Sequence, residues 1–222
     1  CAEEFRLDSR LAPRLYEGVV AVEGGMAQPR FSAHPTGAVL DWAVQMRRFD
    51  PGAVLVQAPG VLSRGLMEKL AARLANFHAQ AAVCSADEPY GAPDAVISPM
   101  EQNFSQIRSQ RGSDRALLDG LMDWTEQHFD DNYPRLLARK QQGFIRECHG
   151  DLHLGNIVMF DGDPMIFDGI EFNPGLRWID VLSDVGFLTM DLTRLGRSDL
   201  AHWFLDAYLA HTGDYTGLPL LR

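Results

Sequence analysis

Four polar side chains between Glu147 and Asn173 have the types and the order that phosphoryl transfer requires. His149 and Asp151 are followed by Asn156 and, twelve residues later, by Asp168. This reaction needs one carboxylate to orient a hydroxyl nucleophile, and an amide oxygen with a second carboxylate to hold magnesium against nucleotide phosphates. Asp151 fits the first role, and Asn156 with Asp168 fits the second. The pattern predicts a kinase.

Short strands are predicted on both sides of these residues. Residues 143–148, 157–160 and 164–167 have β-rich composition, and Asp161-Gly162-Asp163 is a turn signal between the last two. The candidate carboxylates therefore fall on loops at strand ends. Such loops are the usual place for mobile chemistry on a rigid frame.

The segment His149-Gly-Asp-Leu-His-Leu-Gly-Asn156 resembles the catalytic loop of the aminoglycoside phosphotransferase and choline kinase group, small-molecule members of the protein-kinase-like fold. Ile166-Phe-Asp168 is similar to the metal-binding segment of that family. The resemblance implies that Asp151 is the catalytic base and that His149 belongs to the catalytic set. It also implies that Asn156 and Asp168 bind Mg²⁺ and the phosphates of the nucleotide.

Two further acidic residues and a longer motif extend the resemblance. Asp184 is similar to the buried Asp that braces the family's catalytic loop, and Glu171 stands where these enzymes often carry another acidic residue near the metal. The strings at 167–173 and 176–180 resemble a subgroup of uncharacterised bacterial proteins in which a kinase-like half precedes a P-loop kinase-like half. This implies a fused downstream P-loop domain. The strong match covers residues 145–195.

Other polar residues of this region have plain structural interpretations. His153 is expected to hydrogen-bond the loop. Asp180 and Glu171 are expected to be solvated or structural, and Arg177 could pair with one of them.

The start of the chain resembles the second half of a kinase amino-terminal lobe. Residues 2–11 have helical spacing, with Pro13 ending the helix. Residues 15–22 and 38–46 have strand composition, and residues 24–37 are expected to join them as a long hairpin connection.

The resemblance also implies nucleotide contacts in this first part. Glu4, or its neighbour Glu3, would be the helix carboxylate that pairs with the phosphate-binding lysine. The segment from Gln45 to Arg48 would be the hinge whose backbone meets adenine, so Gln45, Met46 and Arg47 are candidate nucleotide-binding residues. The alternative is a plain surface helix with two solvated glutamates.

The chain departs from the family upstream of Glu4. Nothing there can supply the glycine-rich loop or the strand that bears the lysine. The two lysines of the sequence lie elsewhere: Lys69 is in a predicted helix, and Lys140 follows a long helical stretch. Either the chain is a fragment of a longer protein, or it is a degenerate, non-catalytic kinase.

The rest of the chain is predicted to be mostly helical. Helices are expected at 63–83, 114–142, 178–192 and 199–211, with a loop at 84–97. Ser63 is a plausible N-cap, and Pro134 could divide the long helix in two. By resemblance such helices build the acceptor pocket, and their acidic residues attract cationic substrates; the candidates are Asp180, Asp184 and Asp191.

The predicted fold class is α+β, a protein-kinase-like fold of two lobes. Residues 1–50 would be the remaining part of an amino-terminal lobe (a helix plus two strands) with the hinge. Residues 51–222 would be a mostly helical carboxy-terminal lobe with the catalytic loop at 147–173.

A different chemistry is also open. His149, Asp151 and His153 alternate, so on an extended strand all three would point to one face. Two histidines and a carboxylate can bind iron or zinc, as in an oxygenase or a hydrolase. This interpretation leaves Asn156 and Asp168 without a role. A non-catalytic nucleotide-binding or regulatory module is a further alternative.

Composition limits the partners. The net charge is −10, from 20 basic and 30 acidic residues, which is a poor electrostatic match to nucleic acid or an anionic membrane. The longest apolar runs fall far short of the ~20 residues that span a bilayer. The three cysteines are widely spaced, which is typical of free thiols in a reducing cytosol. We expect a cytoplasmic protein without nucleic-acid or membrane partners.

The sequence thus predicts transfer of the γ-phosphate of ATP or GTP to a hydroxyl of a small-molecule acceptor. Asp151 would orient the hydroxyl and accept its proton, while Asn156 and Asp168 hold one or two Mg²⁺ ions. Positioning and charge neutralisation would supply most of the acceleration.

Overall fold

In a computed structural model, which describes residues 1–110, 112 and 114–221, a small antiparallel sheet precedes a largely helical body. The helices are α1 (Ala2–Asp8), α2 (Arg64–Gln80), α3 (Pro93–Ser109), α4 (Arg115–Gln141), α5 (Pro174–Arg177), α6 (Val181–Arg194) and α7 (Ser198–Thr212). The strands are β1 (Tyr16–Gly25), β2 (Gln28–Ser32), β3 (Val39–Met46), β4 (Ile145–Glu147), β5 (Ile157–Phe160), β6 (Asp163–Ile166) and β7 (Trp178–Asp180). The predicted α+β class is confirmed.

The amino-terminal sheet has one strand more than expected. Its order is β2-β1-β3, and β1 pairs antiparallel with both neighbours. The expectation that residues 24–37 form only a connection is wrong, because they contain β2. This strand is exposed on nearly all its side chains, so it lacks the apolar alternation by which a half-buried strand is recognised. Helix α1 ends at Asp8, before the predicted residue 11.

Two hydrophobic clusters organise the chain. The larger one packs α2, α6 and α7 around the loop that holds Leu152 and Leu154. The smaller one joins the amino-terminal segment, through Leu15 and Tyr16, to Val158 of β5 and Met165 of β6. The β5–β6 hairpin therefore has a core on either side. The boundary predicted at residue 50 falls directly before the 3₁₀ turn Pro51–Ala53 and stays a prediction.

The helices follow the predictions with three changes. The Ser63 side chain accepts the Leu66 N–H, which confirms the N-cap of α2. Helix α4 is continuous through Pro134, and α3 begins inside the predicted loop at 84–97. Residues 178–180, expected to be helical, form β7 and pair with β4. Within the described ranges, no helix combines the length and apolar character needed to cross a bilayer.

A buried ion-pair triad joins α4 to the start of α6 and to the carboxy-terminal turn. The Arg139 guanidinium is 2% exposed. It donates to both oxygens of Asp180 at 2.6 and 2.8 Å, and to both oxygens of Asp214 at 2.7 Å. Asp180 also caps α6 by accepting the Leu182 N–H. This bidentate geometry satisfies two carboxylates that burial would otherwise penalise.

We predict that Arg139→Met lowers the free energy of unfolding by about 3–5 kcal/mol, because two buried carboxylates lose their cation. Urea denaturation measures this difference. The control is Arg197→Met, which removes an exposed pair with Asp199 and should change the midpoint much less. Equal midpoint shifts in the two variants would show that the triad does not stabilise the fold.

Candidate active site

The β5–β6 hairpin brings Asn156 and Asp168 together. Its ladder pairs Ile157 with Ile166, and the Phe167 N–H donates to the Asn156 carbonyl at 3.0 Å. The two-residue loop at 161–162 has positive φ at both positions, as in a tight hairpin turn. Asn156 directly precedes this hairpin and Asp168 is the second residue after it, which accounts for the spacing of twelve residues.

The Asn156 side chain links the two candidate carboxylate segments. Its amide nitrogen donates to the Asp151 carbonyl at 3.1 Å and to Asp151 Oδ2 at 3.3 Å, and it lies 3.4 Å from the Asp168 carbonyl. Across the described chain, no hydrogen bond uses the amide oxygen. Asn156 is buried, Asp151 is half-buried and Asp168 is exposed. The predicted base and the predicted metal ligands therefore meet at one place.

Helix α6 supports the loop around Asp151 from below. Asp184 is fully buried and accepts the N–H groups of His149 and Gly150, both at 2.9 Å. Asp191 accepts the Leu154 N–H at 2.9 Å. The two carboxylates are seven residues apart, which is two helical turns, so both lie on the same face of α6. The bracing role predicted for Asp184 matches this geometry.

The Asp184 carboxylate has a further partner that the sequence analysis missed. His78 of α2 is hydrogen-bonded through Nε2 to Asp184 at 3.1 Å and through Nδ1 to the Tyr208 hydroxyl at 2.8 Å. Burial alone would raise the pKa of Asp184, but hydrogen bonds from His78 and from the His149 backbone hold it below its ordinary value. The only sequence signal was a histidine on the apolar face of α2, four residues after Leu74.

The alternative site of two histidines and a carboxylate does not form. The His149 ring is buried; Nδ1 accepts the Asp151 N–H, and Nε2 donates to the Phe167 carbonyl at 3.0 Å. His153 instead accepts the Gly155 N–H at Nδ1, with Nε2 3.4 Å from Asp151 Oδ2. Because both nitrogens of His149 are engaged within the protein, its place in the catalytic set would be one of positioning.

Another group of possible metal ligands consists of His78, Cys148 and Asp184, which are buried and close together. Each already has a hydrogen-bond partner: His78 and Asp184 bond each other, and the Cys148 thiol donates to the Ile179 carbonyl. Burial holds the pKa of Cys148 well above its usual range, so the thiol is a poor metal ligand. The group is a hydrogen-bonded part of the core.

The expectation that Asp180, Asp184 and Asp191 attract a cationic acceptor is wrong. All three are buried and occupied by protein donors, namely Arg139, the catalytic-loop backbone and, for Asp191, Leu154 with Arg194. Carboxylates that are buried and bonded to protein donors are not exposed to contact a substrate. The expectation that Asp180 is structural is correct.

A cluster of arginines around Glu147 ties α1 to the start of the catalytic loop. Glu147 is buried and accepts from Arg6, Arg10 and Arg177 at 2.7–3.2 Å. Arg177 also donates to Glu3 at 2.8 Å. Burial by itself raises the pKa of Glu147, but the arginines outweigh it and the net pKa is lowered. Arg177 therefore pairs with carboxylates other than the predicted Asp180 or Glu171.

Glu4, the predicted partner of a phosphate-binding lysine, lies near Glu171 and Asp168. Burial raises the pKa of Glu4, and the carboxylates of Glu171 and Asp168 add to that effect while the amino terminus opposes it. Neither lysine pairs with Glu4. Lys140 donates to the Glu88 and Tyr90 carbonyls, and Lys69 is exposed on α2. Glu4 makes no ion pair with any residue that the structure describes.

The predicted hinge residues close β3. Gln45 is exposed and donates to Glu17, while half-buried Met46 packs on the smaller cluster. The Arg47 N–H donates to the Leu15 carbonyl at 2.8 Å. An adenine contact at Arg47 would therefore use its carbonyl oxygen.

Two residues that contact the predicted metal-binding segment were not found from the sequence. Asp8 Oδ1 accepts the Gly169 N–H at 2.7 Å, and the Tyr16 hydroxyl accepts the Asp168 N–H at 3.3 Å. Burial raises the pKa of Asp8 to about 6. The one available signal was the acidic side chain of Asp8 beside Leu7 and Leu11, on the face of α1 that the spacing predicts to be buried.

Gly150 lies directly before Asp151, where the backbone leaves no room for a side chain. Its φ is +88°, and a Cβ there would lie 2.6 Å from the Leu176 carbonyl oxygen. Gly162 has a φ of +82°, but nothing lies within 4 Å of its Cβ position. We predict that Gly162→Ala costs only the backbone strain, about 1–2 kcal/mol. Gly150→Ala should cost about 1–3 kcal/mol more, because of the clash.

Urea denaturation of the two alanine variants gives this comparison. Equal losses of stability would mean that the backbone near Leu176 yields freely to the loop.

Comparison with known proteins gives the family. The model of the phosphotransferase enzyme family (APH) matches residues 1–221. Uncharacterized protein Rv2004c of Mycobacterium tuberculosis (strain H37Rv) and Uncharacterized protein Mb2027c of Mycobacterium bovis are each 30% identical over 221 residues. The alignments cover 96% of this chain and 42% of each relative, so the chain spans less than half the length of these proteins. The fold is that of the protein-kinase-like enzymes, and the chain belongs to the phosphotransferase enzyme family.

Proposed function

We propose that the protein containing this chain transfers the γ-phosphate of ATP or GTP to a hydroxyl group of a small molecule. The observation that carries the proposal is the position of Asn156. Its amide nitrogen faces both Asp151 and the Asp168 backbone. A base and two oxygen ligands at one place meet the needs of phosphoryl transfer.

Asp151 is the proposed base. Its carboxylate is half-buried and is held by the Asn156 amide at 3.3 Å, so it can orient an acceptor hydroxyl and take its proton at a carboxylate oxygen. His149 and Asp184 keep the loop backbone in place, and His153 lies beside the base. Most of the rate acceleration then comes from positioning.

Asn156 and Asp168 are the proposed magnesium ligands. The free amide oxygen and the exposed carboxylate are the hard oxygen donors that Mg²⁺ prefers. The carboxylates of Asp168 and Glu171 are both near enough to Glu4 to raise its pKa, so the site carries negative charge that a cation would neutralise. Bound Mg²⁺ would supply charge neutralisation of the nucleotide phosphates.

The sheet edge supports the view that the nucleotide cradle includes a segment of the longer protein outside this chain. Strand β3 pairs with β1 on one side, and among the described residues no strand pairs with its other side. Val39, Leu40 and Trp42 of this edge strand are exposed. An open edge with apolar side chains is a site for a further strand. We propose that such a strand, with the missing lysine, belongs to the longer protein.

The proposed partners follow from the sequence. They are a small-molecule hydroxyl acceptor and a fused downstream P-loop domain, without nucleic acid or membrane. The charge of −10 supports the exclusion of polyanions. A cytoplasmic location stays a prediction from the cysteine spacing.

A second candidate is a regulatory module that binds nucleotide without catalysis. It is favoured by one observation: among the described residues, Glu4 makes no ion pair with a lysine or an arginine. In that case the longer protein would bind nucleotide but would transfer phosphate to no acceptor.

We predict that Asp151→Asn in the longer protein lowers phosphate transfer by about 10²–10⁴-fold, because general-base catalysis is lost. Nucleotide binding should stay near the wild-type value. Asp168→Asn should remove the Mg²⁺-dependent part of nucleotide binding, because a metal ligand is lost. Transfer of labelled γ-phosphate to a panel of hydroxyl compounds measures the first effect, and calorimetry with and without Mg²⁺ measures the second.

Asp199→Asn on the surface of α7 is the matched control and should behave as wild type in both assays. Near-normal turnover of Asp151→Asn would show that another group is the base. Nucleotide binding with no transfer by wild type would favour the regulatory module.

A further inference from the structure

The backbone at the proposed metal ligand adopts an unusual conformation. Asp168 has a φ of +63°, in the left-handed region that non-glycine residues rarely adopt. Asp tolerates this region better than most residues, but it still needs support from its surroundings. The direction of the Asp168 carboxylate depends on this φ, so whatever holds the backbone also aims the ligand.

Two side chains from the amino-terminal segment hold successive N–H groups at this point. The Tyr16 hydroxyl accepts the Asp168 N–H at 3.3 Å, and Asp8 Oδ1 accepts the Gly169 N–H at 2.7 Å. Both residues are buried, with exposures of 5% and 2%. The contacts join residues that are 152 and 161 positions apart in the chain.

Asp8 and Gly169 approach each other closely. A Cβ on Gly169 would lie 3.0 Å from Asp8 Oδ1 and 3.3 Å from the His149 ring, so glycine permits the approach. Asp8 Oδ2 is the one buried side-chain nitrogen or oxygen of the described residues without a hydrogen bond of normal geometry; burial raises the pKa of Asp8, and the neighbouring Tyr16 hydroxyl lowers it in part. Asp8 and Tyr16 are thus neighbours at this point, and each accepts one of the two successive N–H groups.

We propose that Asp8 and Tyr16 are positioning residues that clamp the backbone of Asp168 and Gly169 and so aim the Asp168 carboxylate at the metal. This inference rests on the proposed function. The clamp comes from α1 and β1, whereas the ligand follows β6. The packing of the amino-terminal segment against the β5–β6 hairpin therefore sets the metal affinity of Asp168, which is far away in the sequence.

Amide hydrogen exchange by NMR on the ¹⁵N-labelled protein tests the clamp itself. Tyr16→Phe deletes only the hydroxyl, so the Asp168 amide should exchange faster while the Gly169 amide changes less. Asp8→Ala should have the reverse pattern. Asp8→Asn keeps an acceptor oxygen and should restore protection at Gly169. Unchanged exchange at both amides in Tyr16→Phe and Asp8→Ala would overturn the clamp, whatever the protein binds.

Mn²⁺ binding in the presence of a non-hydrolysable ATP analogue, followed by electron paramagnetic resonance, tests the consequence. Tyr16→Phe and Asp8→Ala should weaken Mn²⁺ affinity by roughly 10–100-fold, the usual effect of removing a group that orients a metal ligand. Asp8→Asn should recover much of the affinity, and Tyr133→Phe, whose ring is on the surface of α4, should match wild type.

The outcomes separate the inference from the proposed function. If the wild-type protein binds no Mn²⁺ in the presence of the nucleotide, the proposed metal site is contradicted. Amide hydrogen exchange then still tests whether Asp8 and Tyr16 hold the backbone. Wild-type affinity that survives in Tyr16→Phe and Asp8→Ala, with normal thermal unfolding of all variants, overturns the positioning role.

Discussion

The backbone on both sides of Asp151 is held by two carboxylates of α6, and the candidate site depends on them. Asp184 accepts the N–H groups before Asp151, and Asp191 accepts the Leu154 N–H after it. The loop has little regular structure, so its buried N–H groups need side-chain acceptors. Hydrogen bonds to charged groups contribute about 1.5–3 kcal/mol each. A rigid helix thus gives an irregular loop one defined shape.

The second constraint is the attachment of the amino-terminal segment to the catalytic segment. Glu147 binds arginines from α1, from the turn that follows it and from the end of α5, and the smaller hydrophobic cluster joins β1 to the β5–β6 hairpin. These contacts place Asp8, Tyr16 and Glu4 around Asp168. Since the carboxylate of Glu147 is buried, removing one arginine would leave a charge that the remaining two must satisfy. Sheet and loop are therefore expected to move as one unit.

Local features of the site were predictable. The turn at Asp161-Gly162 between two β-rich runs predicts a hairpin, and a hairpin explains why Asn156 and Asp168 meet. The Ser63 cap and the apolar face of α2 follow from helix periodicity. Strand β2 was missed because an exposed strand carries no hydrophobic alternation. The acceptor-binding role expected of Asp180, Asp184 and Asp191 was wrong because residue type does not distinguish a carboxylate that faces a substrate from one bonded inside the core.

The sequence by itself determined the order of the chemical groups, the family and the helices and hairpin that hold the motif, because these depend on neighbours along the chain. The tertiary structure decided which carboxylates are free. It buried Asp184 and Asp191 under the loop, paired Arg139 with two acids, and brought Asp8 and Tyr16 to a backbone more than 150 residues away. The physical reason is that burial and long-range packing set whether a polar group is bonded within the fold or available to a ligand, and neither is encoded in local spacing.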